Sequence, residues 1–288
     1  MRTTNRSTGR PRPPVRVATI VQYAALVALA VASFALIALM VVLSLRPGLA
    51  IYVDFWRLPI PPYLGNFTTA LGSLLPAMGR TLLISAVSIA LLLIISTVAS
   101  YSFARLQFPG RDVIFYGILA VMTVPAVITL SPNFILADQL NLLGSLWGLI
   151  VFYVAGGLPF AIFLITTFFR TQPVEIFEAA RVDGASELRI MLRLAVPLAM
   201  PILVTVAILN FLTFYGDYIW PSLVLTEANQ TLLLALQQFN PSVGQFGNRP
   251  DYGVQTAGYV VATIPQLLVF AFGMKYFVAG VTSGAIKA

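Results

Sequence analysis

The chain has 288 residues, 59% hydrophobic and only 9% charged, with a mean hydropathy of +0.90 and a formal net charge of +7. A soluble domain carries about 25% charged residues, so a water-covered globule is excluded. Cysteine and histidine are both absent, which excludes disulfides and cysteine-ligated metals, removes the commonest general base, and leaves little from which to build an active site. The basic residues flank apolar runs instead of forming a stripe among aromatics. That argues against nucleic acid as a partner and for membrane lipid.

Residues 1–17 form a basic tail, with Arg2, Arg6, Arg10, Arg12 and Arg16, and match nothing specific. The apolar run that follows, 18–45, is too long for the core of a signal peptide, and no small-residue cleavage site closes it. An uncleaved first span is therefore expected. Five more spans of about 20 residues are expected over 81–103, 113–130, 146–169, 196–223 and 256–279. The third is interrupted by Pro125 and Pro132 and followed by polar Ser131 and Asn133. Proline at membrane depth frees backbone groups that need partners in protein or a wet cavity, so this segment is either a break that lines a pathway or an ordinary kinked helix.

Between the fourth and fifth spans lies a charged island, 170–197. Pro173 suits a first helical turn, and a short helix is expected over 174–183. Ile176, Phe177 and Ala180 would give it an apolar face, and Glu178, Arg181 and Asp183 polar edges. Gly184 supplies a position for positive φ. Ser186 is then the expected N-cap of a second helix, with Glu187 at its positive end, running to about residue 195 before Pro197.

The fifth span ends in Phe211-Leu212-Thr213-Phe214-Tyr215-Gly216-Asp217-Tyr218-Ile219-Trp220-Pro221. A carboxylate within a membrane costs at least about 2.5–3.5 kcal/mol at the bilayer centre, so Asp217 faces a partner or a wet cavity. Two readings stand: a substrate contact, with Asn210, Tyr215 and Tyr218 as companions along the pathway, or interfacial packing and capping. The neighbouring aromatics also suit a headgroup-level belt. The polar loop 226–252, with Gln237, Gln238, Asn240, Gln245 and Asn248, is expected to be irregular because of Pro241, Gly244 and Gly247. Such long loops are functional or solvated connectors.

Thirteen of the Lys and Arg residues fall on one side of these six spans: the tail, Arg105, Arg111, Arg170, Arg181, Arg189, Arg193, Lys275 and Lys287. Four, Arg46, Arg57, Arg80 and Arg249, fall on the other. The positive-inside rule then puts both termini and the island in the cytoplasm, as expected of a multi-pass protein of a prokaryotic cell membrane.

Glu178-Ala179-Ala180, then Gly184, then Leu194-Ala195-Val196-Pro197, resembles the EAA motif of ABC importer permeases, whose usual Ile and Leu are replaced here by Leu194 and Val196. The segment 101–110, Tyr-Ser-Phe-Ala-Arg-Leu-Gln-Phe-Pro-Gly, and the C-terminal 280–287, Gly-Val-Thr-Ser-Gly-Ala-Ile-Lys, are similar to the carbohydrate branch, the second permease subunit of maltose-type importers. The resemblance covers roughly 66–288. It implies an all-α membrane protein with the type I importer permease fold: a permease domain over 18–288 with its core at 81–279. It further implies a non-enzymatic channel subunit that pairs with a second homologous permease, sits on two ATPase subunits and receives a sugar from an extracytoplasmic binding protein. Glu178, Ala179, Ala180, Asp183, Gly184 and Ala185 would form the coupling helix in an ATPase groove, with Glu178 and Asp183 making polar contacts. Gln237, Gln238 and Asn240 would reach toward the binding protein. The chain has no Gly-x-x-x-x-Gly-Lys-Ser/Thr loop, so ATP and Mg would be held by the partner subunits and no cofactor by this chain.

The closest competing reading is a permease of the same superfamily for an amino acid, phosphate or polyamine. A secondary transporter would show repeated halves and an ion site, and no convincing internal repeat is present.

Overall fold

A computed structural model describes residues 17–242 and 249–285. The basic tail, the loop residues Gly244, Gln245, Gly247 and Asn248, and Ile286 with Lys287 lie outside the described residues, as do the side chains of 276–285.

Among the described residues the fold is all-α, with one isolated bridge between Ser242 and Pro250. Helix α1 (Val17–Ser44) leads to a short α2 (Gly48–Val53) and then α3 (Gly65–Arg105). A broken pair, α4 (Arg111–Val121) and α5 (Ala126–Gln139), is followed by α6 (Trp147–Thr171). The charged island forms α7 (Val174–Val182), α8 (Glu187–Ile190), a π-turn at Met191–Ala195 and α9 (Val196–Leu198). Helix α10 (Met200–Tyr215), α11 (Ile219–Val224), a 3₁₀ turn at Glu227–Asn229, α12 (Leu232–Gln238) and α13 (Tyr252–Ala285) complete the chain. Four helices, α1, α3, α6 and α13, are long and apolar enough to cross a membrane. Counting each of the two bent pairs as one span gives six.

Four expected spans are redrawn. The second starts not at 81 but at Gly65, making α3 41 residues long, about 62 Å at 1.5 Å per residue. Its first turns are polar and contain Pro76 and Arg80, so they escape a hydropathy reading; they project beyond a hydrocarbon core of about 30 Å. The third bends by 98° between α4 and α5, where Pro125 takes extended backbone ahead of α5. The fifth bends by 75° at Ala199 and ends at Tyr215 instead of running on to 223. Pro197 and Pro201 flank that bend, and each removes a backbone donor. The sixth begins at Tyr252 and its helix continues to Ala285.

The segment 226–252 is likewise more regular than expected. Helix α12 lies in it with Leu232, Leu234 and Leu236 buried, and the Leu232 N–H donates to Thr81 Oγ1 at 2.7 Å. Arg80 Nε donates to the Gln230 carbonyl at 3.0 Å, so the projecting part of α3 holds this segment in place.

The main core joins α3, α6 and α10 around Leu92, Leu149, Ile165, Phe169 and Val206. A second cluster, of Leu74, Phe211, Tyr215, Leu232, Leu236 and Ala262, sits under α12. Burial within the chain is partial elsewhere: in the most apolar stretch of α3 33% of residues are buried, and in that of α1 none. An apolar exterior of this extent is matched to lipid or to other apolar protein surfaces.

Candidate functional site

The face bearing the island is built on the ends of α3 and α6. Pro173 follows Gln172, which is extended (φ −72°, ψ 141°), as the residue before a proline must be, and α7 starts at once. Its end explains the motif spacing. Gly184 has φ +77°; its N–H donates to the Arg181 carbonyl at 3.0 Å, and the Ala185 N–H donates to the Ala180 carbonyl at 3.0 Å. These two bonds form a Schellman C-cap, which needs a residue with positive φ four positions after Ala180. Nothing lies within 4 Å of a Cβ added at Gly184, so the requirement for glycine is conformational.

Two clamps fix this element. Phe177 is fully buried, and the Arg105 guanidinium lies over its ring, 4.1 Å from the centroid. Arg105 Nη2 also donates to the carbonyls of Phe169 and, at 2.8 Å, Gln172, placing a cation on the negative end of α6. In the second clamp the Tyr101 hydroxyl donates to Glu187 Oε2 at 2.6 Å, and Arg181 Nε donates to Glu187 Oε1 at 2.7 Å. The hydrogen bond from Arg181 holds the Glu187 carboxyl below its ordinary range, partial burial opposes this, and the Tyr101 hydrogen bond adds to the lowering. Gln172 Nε2 donates to the Ala195 carbonyl at 3.2 Å, joining the start of the island to its π-turn. There the Val196 N–H reaches five residues back to Met191, a bulge common at functional sites.

The remaining motif residues face outward. Glu178, Ala179, Asp183 and Gly184 are exposed, and Ala180 and Ala185 are half-buried. Two expectations are corrected. Ile176 does not share the buried face with Phe177 but is exposed, as is Val182. Ser186 occupies the N-cap position with extended backbone, yet its hydroxyl makes no capping bond; the Glu187 side chain is engaged by Tyr101 and Arg181 instead. Sequence reasoning missed Tyr101, Arg105 and Gln172 as parts of this site, and gave Glu187 a place in the island without its partners Tyr101 and Arg181. The scarcity of charge was the available signal for Arg105 and Glu187.

A cavity of about 620 Å³ opens between α5, α6, α10 and α11. It contains two of the four expected pathway residues, Asn210 and Asp217. Asp217 is not on a helix: α10 has ended, and Oδ1 accepts from the Ile219 N–H at 3.0 Å and the Trp220 N–H at 3.5 Å, starting α11. Its Oδ2 accepts from the Tyr153 hydroxyl at 2.9 Å. The capping reading therefore holds, and the carboxylate also borders the cavity. Tyr153 stacks on Phe214, with centroids 4.7 Å apart and planes 4° from parallel. Tyr215 is turned the other way: it is buried, and its hydroxyl donates to the Ala262 carbonyl at 2.8 Å. Tyr218 is exposed and lies outside the cavity lining.

On the opposite face Gln237, Gln238 and Asn240 are exposed, and Gln238 Oε1 accepts a hydrogen bond from Gln230 Nε2. The Tyr52 hydroxyl donates to the Pro250 carbonyl at 2.8 Å, and Asp251 Oδ1 accepts from the Val254 N–H at 3.1 Å, which ties the segment to α2 and α13. Among the described residues, no three carboxylates come together as a metal site would require.

A family model described as the binding-protein-dependent transport system inner membrane component matches residues 94–283. The chain is 32% identical over 235 residues to a putative ABC transporter permease protein of Caldicellulosiruptor sp., covering 81% of this chain and 83% of the relative. It is 34% identical to the maltodextrin transport system permease protein of Bacillus subtilis, covering 72% and 74%. To the trehalose transport system permease protein of Mycobacterium tuberculosis it is 35% identical, covering 67% and 70%. Among solved structures, a bacterial ABC transporter involved in import of the acidic polysaccharide alginate matches with a TM-score of 0.82 at 24% identity, covering 94% of this chain and all of that one. At that identity the likeness is one of fold.

Proposed function

The chain belongs to the binding-protein-dependent transport system inner membrane component family, and on that premise we propose that it is a channel-forming permease subunit of a sugar ABC importer. The sugar class is supported by the relatives named for maltodextrin and trehalose transport. The observation that carries the mechanical part of the reading is the clamped α7. It is closed by a Schellman cap, pinned through Phe177 and Arg105, and it presents Glu178, Ala179 and Asp183 outward.

In this reading α7 faces the cytoplasm, as do both termini, and seats in a groove of one ATPase subunit. Glu178 and Asp183 make polar contacts there, and the small Ala179 lets the helix lie close. ATP and Mg belong to the two ATPase subunits. Because Arg105 ends α3 and holds the last carbonyls of α6, a push on α7 is delivered to two spans at once. Tyr101 carries the same displacement from Glu187 into the body of α3. The spans then rock as a unit against a second permease between inward- and outward-facing states. On the opposite face, the exposed amides of Gln237, Gln238 and Asn240 meet the binding protein.

The test is purification of the chain with its partner subunits and binding protein, followed by ATPase assay across mono-, di- and oligosaccharides. Stimulation by at least one sugar-loaded binding protein is expected. Stimulation by an amino acid or phosphate, and by no sugar, overturns the substrate class.

A further inference from the structure

We propose that the cavity beside Asp217 is a binding subsite for an uncharged saccharide ring, and that its charge pattern turns acidic sugars away. This inference rests on the sugar-importer reading above.

The first observation is space. The cavity of about 620 Å³ lies within the range of about 300–1,000 Å³ usual for ligand pockets. Gly156 lines it, and nothing lies within 4 Å of a Cβ added there. Helix α6 therefore presents bare backbone to the open volume, where a side chain would occupy a ligand's place.

The second is the wall. Phe152, Tyr153, Phe160 and Trp220 border the cavity. Aromatic faces carry partial negative charge and suit the C–H faces of a sugar ring. Trp220 is held in orientation by donating Nε1–H to the Gly148 carbonyl at 3.0 Å.

The third is a carboxylate fixed in advance. Two amides of α11 and the Tyr153 hydroxyl hold Asp217 by three hydrogen bonds. A carboxylate has about four lone-pair sites, so capacity remains to accept from a sugar hydroxyl without reorganisation. Asn133 also lines the cavity and, among the described residues, makes no side-chain hydrogen bond, leaving its amide free to donate and accept.

The fourth is charge. No lysine or arginine is among the residues that line the cavity, and Asp217 is the one carboxylate there. A uronate would bring its own carboxylate beside Asp217 with no cation from this chain between them. The structurally similar transporter involved in import of the acidic polysaccharide alginate shares the fold. A shared fold therefore leaves the charge class of the ligand open, and in this chain the cavity lining carries a carboxylate and no cation.

The experiment is equilibrium binding of a radiolabelled neutral glucose trisaccharide and a triuronate of equal length. The binding partner is the assembled transporter in nanodiscs, without binding protein, so that delivery does not select the ligand. Wild type is expected to bind the triuronate at least about tenfold more weakly, since like charges brought into contact without a cation between them are disfavoured. Asp217→Asn keeps an acceptor for the α11 amides, removes the charge, and should narrow that ratio. Gly156→Leu should abolish binding of the neutral sugar while the thermal unfolding midpoint of the complex is unchanged. Equal binding of both ligands to wild type, or neutral binding untouched by Gly156→Leu, overturns the subsite. If neither ligand binds and no sugar-loaded binding protein stimulates the ATPase, the sugar reading itself falls.

Discussion

The Arg105 guanidinium lies 4.1 Å from the centroid of the Phe177 ring, so the one fully buried side chain of α7 is held under a cation whose own hydrogen bonds end on α6. The end of α3 meets the consecutive helices α6 and α7 at that contact. Phe177→Ala should cost about 3–5 kcal/mol of packing and uncouple ATPase activity from transport. Arg105→Lys keeps the charge but loses the planar stack, worth about 2 kcal/mol when desolvated. It should reduce the ratio of sugar transported to ATP hydrolysed while the complex still assembles. A normal ratio in both variants would contradict the clamp.

Gly184→Ala should destabilise the end of α7 by about 1–2 kcal/mol, the cost of the left-handed conformation for a residue with a Cβ. Gly184→Asn should cost less, because Asn tolerates that region better. Since no atom crowds the position, the order Gly, Asn, Ala in hydrogen-exchange protection of residues 180–187 separates a conformational effect from a steric one.

The Glu187 carboxyl is held below its ordinary value, chiefly by the hydrogen bond from Arg181. A depressed carboxyl contributes stability that is complete above the unfolded-state value, about 4.3. That contribution is lost as pH falls through the lower, folded-state value. Protection of 174–190 against proteolysis should therefore be constant from neutral pH down to about 4.3 and fall below it. Glu187→Gln should lack this acid limb. A wild-type decline well above the glutamate range would show that another group governs the loop.

Glu178→Lys reverses an exposed charge that makes no hydrogen bond among the described residues. Stability should change by no more than about 0.5 kcal/mol, as for other surface positions. Copurification with the ATPase subunits should nevertheless fail or weaken sharply. Assembly at wild-type yield with normal stimulation would remove Glu178 from the docking surface.

Gln237→Ala with Asn240→Ala should weaken binding of the sugar-loaded binding protein by about 2–10-fold per lost hydrogen bond. Both side chains are exposed, so the unfolding midpoint should not move. An unchanged affinity would assign this segment to solvent.

The membrane class, the six-segment pattern and the break near Pro125 were legible because hydropathy and proline are local signals. The turn at Gly184 was legible for the same reason, since a left-handed residue leaves its mark in one position. Three features were not. The first turns of α3 are polar, because they project beyond the apolar layer and carry the bonds that hold α12. Helix α12 itself is one turn of leucines among amides, too short for its period to stand out. The Tyr101–Glu187 and Tyr153–Asp217 pairs join residues 86 and 64 positions apart, and no pattern along the chain announces such a meeting. Tyr215 is the instructive error: two residues from Asp217, it is buried in the cluster under α12, because α10 ends between them and the chain changes direction.

Helix α1 has a consequence of another kind. Its most apolar stretch has no residue buried within the chain, and burial begins only at Leu43, Ser44 and Arg46. Helix α1 runs against α13 without burying a side chain of that stretch, so packing within the chain constrains it loosely beyond being apolar and long enough to span. Under mutation and selection, many sequences satisfy so loose a demand, and drift there is checked by lipid and by the contact with α13. Ser44, Arg46 and Asn66 are buried and held together, with the Asn66 side chain donating to the carbonyls of Ser44 and Arg46, and have no such freedom. Constraint from buried side chains thus begins at the last turn of the first helix.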